Sequence, residues 1–209
     1  MAFDTIPELK PQGLKAIAYM VAKGYKVRAL NIMCFEGINT DLLTVNNDKI
    51  DLWDDVRAIV SDKGEVLMAC QATTKAGWYY RQNPLNDDGC AQIAFGQYLD
   101  CWRIGMHHAQ KALVQCGTIK IYRDKNEDGS RAGDACFTGD DFGINLHTTG
   151  NEGSDNAPDT VGRWSAGCSV GRYSATHYGV FMPICRAMGL DTFDVTFVDG
   201  SDFHKFCQN

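Results

Sequence analysis

The sequence contains no apolar stretch that approaches the roughly 18 residues a membrane-spanning helix requires, so we expect no membrane partner. It also lacks an excess of basic residues: 20 Lys and Arg stand against 26 Asp and Glu, giving a formal net charge of −6. Because phosphate neutralisation needs a Lys- or Arg-rich face, we expect no nucleic-acid partner. Proline is scarce, with 5 in 209 residues, whereas 44% hydrophobic and 22% charged residues are typical of an ordinary globular protein.

No two cysteines are close enough in the sequence to form a Cys-x-x-Cys motif, although the chain has nine cysteines. This absence argues against a zinc ribbon and against a thioredoxin-like redox pair. A chain of this length buries a single large core without disulfides, so we expect most thiols to be reduced, buried and unreactive. Only Cys168 is set apart by its neighbours in the sequence.

The hydrophobic pattern predicts a mainly β domain. Apolar residues recur with helical spacing over 11–24, and a second helix is predicted over 174–188 with Ser174 as its cap. Pro183 lies inside this second helix, so the helix is either kinked or begins later than the pattern suggests. The segments predicted as strands are 25–34, 56–60, 66–74, 117–123, 142–148 and 194–198. We therefore predict an N-terminal helical extension at 1–24 and a single domain at 25–209.

The stretch 142–172 combines a histidine, a long polar loop and the sequence SAGC. A thiol becomes a nucleophile when a nearby base takes its proton, and consecutive N–H groups of a tight turn can hold an oxyanion. Gly167 allows a carbonyl group to approach the backbone closely. The pattern therefore predicts Cys168 as nucleophile, His147 as its base, and the amides of Gly167 and Cys168 as oxyanion donors.

A histidine on a strand, followed after a long loop by Ser-x-Gly-Cys, resembles the catalytic domain of the L,D-transpeptidase family. Segments 72–98, 102–108 and 112–115 resemble the family in the same order, and the pattern RDxNxD, FGINxH, WSAGC is similar to a divergent phage and bacterial branch. The resemblance covers about 55–185. It implies an L,D-transpeptidase-like β-sandwich or curved mixed sheet with a short N-terminal helix and one C-terminal helix.

The resemblance also implies a chemistry. Family members form an acyl-enzyme on the cysteine by cutting a peptidoglycan stem peptide between an L- and a D-centre, and then pass the acyl group to an amine or to water. Carried over to this sequence, Cys168 is the nucleophile, His147 the base and Gly167 an oxyanion donor. Ser165 is expected to shape the turn beside the bound substrate. The implied partner is the stem peptide, with no cofactor and no metal.

Two positions depart from the family pattern. Ala166 stands where typical members have a second histidine, and Val170 stands where they have an arginine that positions the substrate. The nearest arginine is Arg172, which is either a carboxylate clamp or an ordinary surface residue. Trp164 and His107 are further candidate substrate contacts, with core packing as the alternative role of Trp164.

Two metal hypotheses stay open beside this interpretation. Asp124, Asn126 and Asp128 begin a DxNxDG calcium loop, but its twelfth position is Ala135 rather than Glu, so a solvated turn is the alternative. His147, His177 and an aspartate could form a zinc peptidase site, although no HExxH motif is present. On the main interpretation, His177 is expected to lie at the surface.

The N-terminal sequence MAFDTIPELKPQG lacks the charged and apolar regions of a secretory signal. We therefore expect cytoplasmic synthesis without a signal peptide, followed by action on the cell wall after release during lysis. This favours a hydrolytic, endolysin-like L,D-peptidase or carboxypeptidase. The alternatives are a cross-linking L,D-transpeptidase and a non-enzymatic wall-binding or virion structural protein. A catalytic Cys168 is expected to have a lowered thiol pKa.

Overall fold

The computed structural model describes residues 3–208, so the ends of the predicted ranges at residues 1, 2 and 209 lie outside the described residues. The strands are β1 (Leu30–Glu36), β2 (Asp55–Ser61), β3 (Val66–Thr73), β4 (Cys90–Ile93), β5 (Gly96–His107), β6 (Gln110–Gln115), β7 (Ile119–Asp124), β8 (Ala135–Gly139), β9 (Leu146–Thr148), β10 (Ser169–Gly171) and β11 (Phe193–Asp199). The helices are α1 (Lys10–Ala22), α2 (Trp78–Gln82), α3 (Ser174–Thr176), α4 (Met182–Ala187) and α5 (Gly200–Gln208), with a 3-10 turn at Pro7–Leu9 and a π turn at His177–Phe181.

Eight of the strands form a closed, barrel-like sheet in the order β1-β11-β5-β6-β9-β10-β3-β2. The sheet is mixed, because β1 runs parallel to β11 and β9 runs parallel to β10, whereas its other neighbouring strands are antiparallel. Strands β4, β7 and β8 form a separate three-stranded sheet. The prediction of a mainly β fold is confirmed. None of the helices within residues 3–208 is long and apolar enough to cross a membrane.

The barrel encloses a core of large apolar side chains. Trp102 is fully buried there, and its indole N–H donates to the carbonyl oxygen of Ile144 (2.8 Å), so the polar atom of the ring is satisfied inside the core. Phe181 and Ile184, from the π turn and α4, pack into the same cluster as Trp102. The helical segment after β10 therefore belongs to the barrel core.

Helices α1 and α5 pack together over a second apolar cluster on the opposite face of the sheet. Tyr19 meets Phe203 edge to face at 5.4 Å, and its hydroxyl donates to Asp202 (2.7 Å). A Cβ added at Gly13 would lie only 2.1 Å from the carbonyl oxygen of Gly64, so this close approach of α1 to the β2–β3 turn requires glycine. Helix α1, within the predicted extension, thus packs on the barrel.

The strand predicted at 25–34 begins only at Leu30, because the Asn31 side chain forms hydrogen bonds with backbone groups that precede the strand. The amide oxygen of Asn31 accepts from the N–H of Arg28 (2.8 Å), and the Asn31 amide donates to the Arg28 carbonyl (2.8 Å). These bonds hold the chain in a local turn rather than in a strand ladder. The strands predicted at 56–60, 66–74, 117–123 and 194–198 are confirmed, with end shifts.

The strand predicted at 142–148 is reduced to the three residues of β9. Gly143 has a left-handed φ of +67°, which interrupts an extended strand. The N–H of Ile144 donates to the Gln115 side chain (3.0 Å), and the N–H of Gln115 donates to the Asn145 side chain (2.9 Å). Side-chain oxygens therefore replace the ladder carbonyls ahead of β9.

The helix predicted at 174–188 is interrupted by the π turn. Pro183 has no N–H, so the α-helical bonding pattern cannot pass through it, and a wider turn precedes it. Ser174 is not a cap, since its hydroxyl donates to the carbonyl of Ser154 (2.8 Å). The prediction missed α5, which begins where Asp199 accepts the N–H of Ser201 (2.8 Å).

Replacing Leu113, which is fully buried in β6, by alanine should lower the free energy of unfolding by about 2–5 kcal/mol, because a cavity is left in the barrel core. The matched control is Leu85→Ala, at a side chain that is 78% exposed, which should change stability by no more than about 0.5 kcal/mol. Chemical denaturation of both variants tests this assignment. Equal losses would contradict the placement of Leu113 in the core.

Candidate active site

The predicted base and nucleophile are brought together by the parallel pairing of β9 and β10. In this register His147 lies opposite Val170, and Leu146 lies opposite Ser169. Cys168 immediately precedes β10, so its side chain emerges beside the strand that carries His147. A ring nitrogen of His147 and the sulfur of Cys168 lie within 4.8 Å of each other. The predicted pairing of these two residues is therefore present.

The turn before the nucleophile is fixed by Ser165. Its hydroxyl donates to the carbonyl of Cys168 (2.8 Å) and accepts from the N–H of Gly167 (3.1 Å). Gly167 has φ +132°, and a Cβ there would lie 2.5 Å from the carbonyl oxygen of Ala91, so only glycine fits. The expected turn-shaping role of Ser165 is confirmed. Its hydroxyl is buried and both of its bonds lie within the turn, so in this conformation it is not free to contact a substrate.

The Gly167 N–H is not free in this conformation, because it donates to the Ser165 hydroxyl. Of the two predicted oxyanion donors, the Cys168 amide is thus the one that this hydrogen bond leaves available. An oxyanion that also used the Gly167 amide would have to displace the Ser165 hydroxyl. The predicted two-amide arrangement is therefore not preformed.

The Cys168 sulfur is held in a mostly buried, polar contact. It accepts from the backbone N–H of Asn145 (3.4 Å), and its own S–H donates to the carbonyl of Gly143 (3.4 Å). Burial raises the pKa of the Cys168 thiol to about 11, and the N–H of Asn145 opposes this rise only in part. The expected lowered thiol pKa is therefore contradicted in this conformation.

His147 is buried and neutral. Its Nδ1 lies 2.9 Å from the carbonyl oxygen of Thr148 and 3.2 Å from the side-chain oxygen of Gln110. Both partners are acceptors, so the ring proton is on Nδ1, and Nε2 is left as the basic nitrogen. Burial, followed by the neighbouring His107 ring, lowers the pKa of His147 to about 3. These bonds identify the groups that orient the base, which the sequence pattern did not reveal.

His107 stacks on the predicted base. The two ring centroids are 4.4 Å apart, and His107 Nδ1 lies 2.9 Å from the side-chain nitrogen of Asn145. Since the amide donates, His107 Nδ1 accepts and its proton lies on Nε2. His107 and Ala166 both line the same cleft. His107, at the end of β5, thus supplies an imidazole to the cleft, although Ala166 stands where typical family members have their second histidine.

The cleft above the sulfur has a volume of 760 Å³. Trp164 lines it and also packs against the small cluster around Val170, so the packing role is observed and the substrate contact stays a prediction. Arg163 lies at the rim with its guanidinium 3.7 Å from the ring centroid of Tyr79. The other charged residues of the lining are Arg123 and Asp141.

The prediction of Arg172 as a substrate clamp is contradicted. Its guanidinium donates to the carbonyl of Pro158 (3.0 Å), to the side chain of Gln71 (2.9 Å) and to Asp159 (3.3 Å). All three of its nitrogens are used to fasten the polar loop at 150–160 to the barrel. Arg172 is also not among the residues that line the cleft.

His177 is buried rather than at the surface. Its Nε2 donates to the carbonyl of Lys111 (2.8 Å), which fixes the π turn against β6. Burial, followed by the charge of Arg57, lowers the pKa of His177 to about 3. With its Nε2 engaged in this way, His177 does not join His147 in the zinc set that the sequence left open.

The calcium hypothesis is disfavoured by a buried ion pair. The Asp124 carboxylate contacts the guanidinium of Arg81 (2.7 Å) and also accepts the N–H of Gly129 (3.1 Å). Asn126 and Asp128 bond to each other rather than to Asp124. A cation already sits against the first residue of the motif, and the arrangement is that of a turn.

Among residues 3–208, the sulfur and imidazole donors of Cys168, His147 and His107 form one group whose ligand atoms lie within 4.8 Å of one another. Thiolate and imidazole are ligands that suit Zn²⁺. Here, however, His107 Nδ1 accepts a hydrogen bond from Asn145, and the protonated thiol of Cys168 donates to the Gly143 carbonyl. These hydrogen bonds are those of a protonated thiol and neutral imidazoles rather than those of metal ligands.

No protein-family model, no curated protein and no solved structure matches this chain. The resemblance of the sequence to L,D-transpeptidases therefore stays a prediction, and the site has to be argued from its own geometry.

The two buried imidazoles predict a pH-dependent stability. Below pH 6.5 the unfolded chain protonates His147 and His177, whereas the folded chain keeps both neutral down to about pH 3. The free energy of unfolding should therefore fall as the pH falls through this range, by up to about 1.4 kcal/mol per pH unit for each imidazole. His177→Phe should have the shallower dependence.

Denaturation curves between pH 7 and pH 4 provide the measurement. Leu113→Ala is the matched control, because it removes stability without removing an ionisable group and should keep the wild-type slope. Parallel curves for wild type and His177→Phe would contradict the assignment of a neutral, buried His177.

Proposed function

We propose that the protein is a cysteine-dependent acyl-transfer enzyme that acts on peptidoglycan stem peptides, with water as the final acceptor. The observation that carries this proposal is the approach of the Cys168 sulfur to the oriented, neutral ring of His147 at the base of an open cleft. The mainly β fold with its mixed, barrel-like sheet agrees with the coarse architecture that the resemblance implies. The stem peptide enters the proposal through that resemblance.

The proposed reaction begins from a neutral thiol and a neutral imidazole. His147 Nε2 takes the thiol proton as the Cys168 sulfur attacks the carbonyl carbon of the scissile amide. The carbonyl electrons move to the oxygen, which the Cys168 N–H stabilises. When they return, the C–N bond breaks, the imidazolium gives its proton to the leaving amine, and a thioester remains on Cys168.

Water completes the cycle. His147 removes a proton from the water as its oxygen attacks the thioester carbonyl, and the C–S bond then breaks. The departing sulfur recovers the proton, and the product leaves as a carboxylic acid that ionises in solution. In each half of the cycle His147 acts first as base and then as acid, which requires the fixed Nδ1–H tautomer.

Cross-linking is the second candidate function, in which an amine replaces water at the thioester. The observation in its favour is the Asp141 carboxylate in the cleft lining, because a carboxylate attracts a cationic amine acceptor. The same residues would carry the chemistry up to the thioester.

Mass spectrometry of muropeptides, after incubation of purified sacculi with the protein, tests the proposal. Wild type should shorten stem peptides or open cross-links, whereas Cys168→Ala should lose this activity by at least about a thousandfold, because the acyl-enzyme cannot form. Cys116→Ala, at an exposed thiol outside the cleft lining, is the matched control and should retain activity.

The other outcomes are informative. New cross-links or exchange of a terminal D-amino acid by wild type would select the second candidate function. Activity that EDTA removes but iodoacetamide leaves intact would identify a zinc peptidase. An unchanged muropeptide profile with wild type and both variants would reject peptidoglycan acyl transfer.

We also propose that Arg163 binds the carboxylate of the substrate. Its guanidinium is placed at the cleft rim by stacking on Tyr79 (3.7 Å), and none of the ion pairs within residues 3–208 includes it. A cation that is held in place without a carboxylate is suited to bind one from a ligand. Val170 offers no such charge.

Arg163→Gln should raise KM about tenfold for a stem peptide with a free terminal carboxylate, because a charge-assisted hydrogen bond is lost. The same variant should leave KM unchanged for the matching carboxamide peptide. Arg186→Gln, which removes an exposed charge outside the cleft lining, is the control. A loss of equal size on both peptides would refute the assignment.

A further inference from the structure

Arg57 is a charged residue inside the barrel. It lies in the middle of β2, paired with Cys34 of β1 and Cys70 of β3, and its side chain is only 1% exposed. Among the ion pairs of residues 3–208, none involves Arg57. Burying a cation without a carboxylate is costly, so a second role is expected to accompany its structural one.

The guanidinium reaches across the barrel to the two strands that carry the candidate active site. Its Nη2 donates to the carbonyl oxygens of His147 (3.2 Å) and Ser169 (2.5 Å), and to the Ser169 hydroxyl (3.2 Å). The base and the residue that follows the nucleophile are thus held by one side-chain nitrogen. The guanidinium also lies 4.8 Å from the ring centroid of Phe181, which fixes its plane.

Strands β9 and β10 have only three residues each, so their own ladder supplies few hydrogen bonds. Because Arg57 donates to the carbonyl of His147 in β9 and to the carbonyl of Ser169 in β10, it helps to fix the distance between the two strands. The Arg57 Nε has no hydrogen-bond partner within the described residues. Leaving a buried donor unpaired costs free energy, and the guanidinium bears this cost while its Nη2 bonds to the two carbonyls.

The charge of Arg57 acts on an unusual set of neighbours. The groups whose pKa it lowers belong to β1, β3, β9, the turn before β10, the π turn and α4, and are Cys34, Cys70, His147, Cys168, His177 and Cys185. They are thiols and imidazoles, all neutral at rest. The one that becomes negative in the proposed reaction is Cys168.

We propose that Arg57 is a positioning residue of the Cys168–His147 pair: it sets the spacing of β9 and β10 through their carbonyls and supplies the fixed positive charge that stabilises the Cys168 thiolate. This inference rests on the proposed function for its biological meaning. The thiol reactivity that tests it is measurable without any peptidoglycan substrate.

The test is site-resolved labelling by iodoacetamide, followed by mass spectrometry over a pH series, on full-length wild type, Arg57→Gln and Arg57→Lys. In Arg57→Gln the pH midpoint of Cys168 labelling should rise by about one unit, which is a tenfold slower rate at fixed pH below the midpoint. Cys116 and Cys136, both exposed, are internal standards whose midpoints should stay fixed. Arg186→Gln should leave the Cys168 midpoint at its wild-type value.

Arg57→Lys separates charge from geometry and covers the case in which Arg57→Gln does not fold. Lysine keeps the charge but lacks the planar guanidinium, so the midpoint should stay within half a unit of wild type while kcat falls about tenfold at constant KM. A folded Arg57→Gln with the wild-type midpoint would overturn the electrostatic role. A wild-type kcat in Arg57→Lys would overturn the spacing role.

Failure of the proposed function has a different signature. Wild type would then leave sacculi unchanged, while the shift of the Cys168 midpoint in Arg57→Gln would still be observed. Conversely, an active wild type whose Cys168 midpoint does not respond to Arg57 would reject this inference alone.

Discussion

The arrangement of the site depends on one constraint, the parallel pairing of two three-residue strands. β9 delivers His147, and β10 begins directly after Cys168, so the separation of the strands sets the separation of base and sulfur. Parallel pairs are slightly less stable per residue than antiparallel ones, and such short strands have few bonds. The pairing is supported from inside the barrel by Arg57, which bonds to carbonyl oxygens of both strands.

Burial decides the protonation state of the resting pair. It raises the pKa of Cys168 to about 11 and lowers that of His147 to about 3, so both groups are neutral through the physiological range. An ion pair of thiolate and imidazolium is therefore not the resting state. Proton transfer must accompany attack on the carbonyl, and the reaction consequently depends on how well the substrate and the two groups are aligned.

The sequence could predict those parts of the site that are local. The SAGC turn and the strand histidine indicated Cys168, Gly167 and His147, and all three are brought together. Gln110, Asn145 and Arg57 escaped prediction, because each acts on the site from a strand or loop that only the closed sheet brings near. The signal for Arg57 was present as a charge within an apolar strand, which a buried role explains.

The same distinction applies to the fold. Strands with regular alternation were predicted well, whereas 25–29 and 142–145 were not, because the side chains of Asn31 and Gln115 bond there in place of ladder groups. Hydrophobic periodicity cannot reveal that a side chain replaces a ladder hydrogen bond, because it reports burial rather than hydrogen-bond partners.

Burial also explains why valine, rather than the arginine of typical family members, stands at position 170. Its side chain is fully buried against Trp53 and Val161. An arginine at 170 would bury a cation among these apolar side chains. A substrate charge is more readily met from the cleft rim, where Arg163 is solvated.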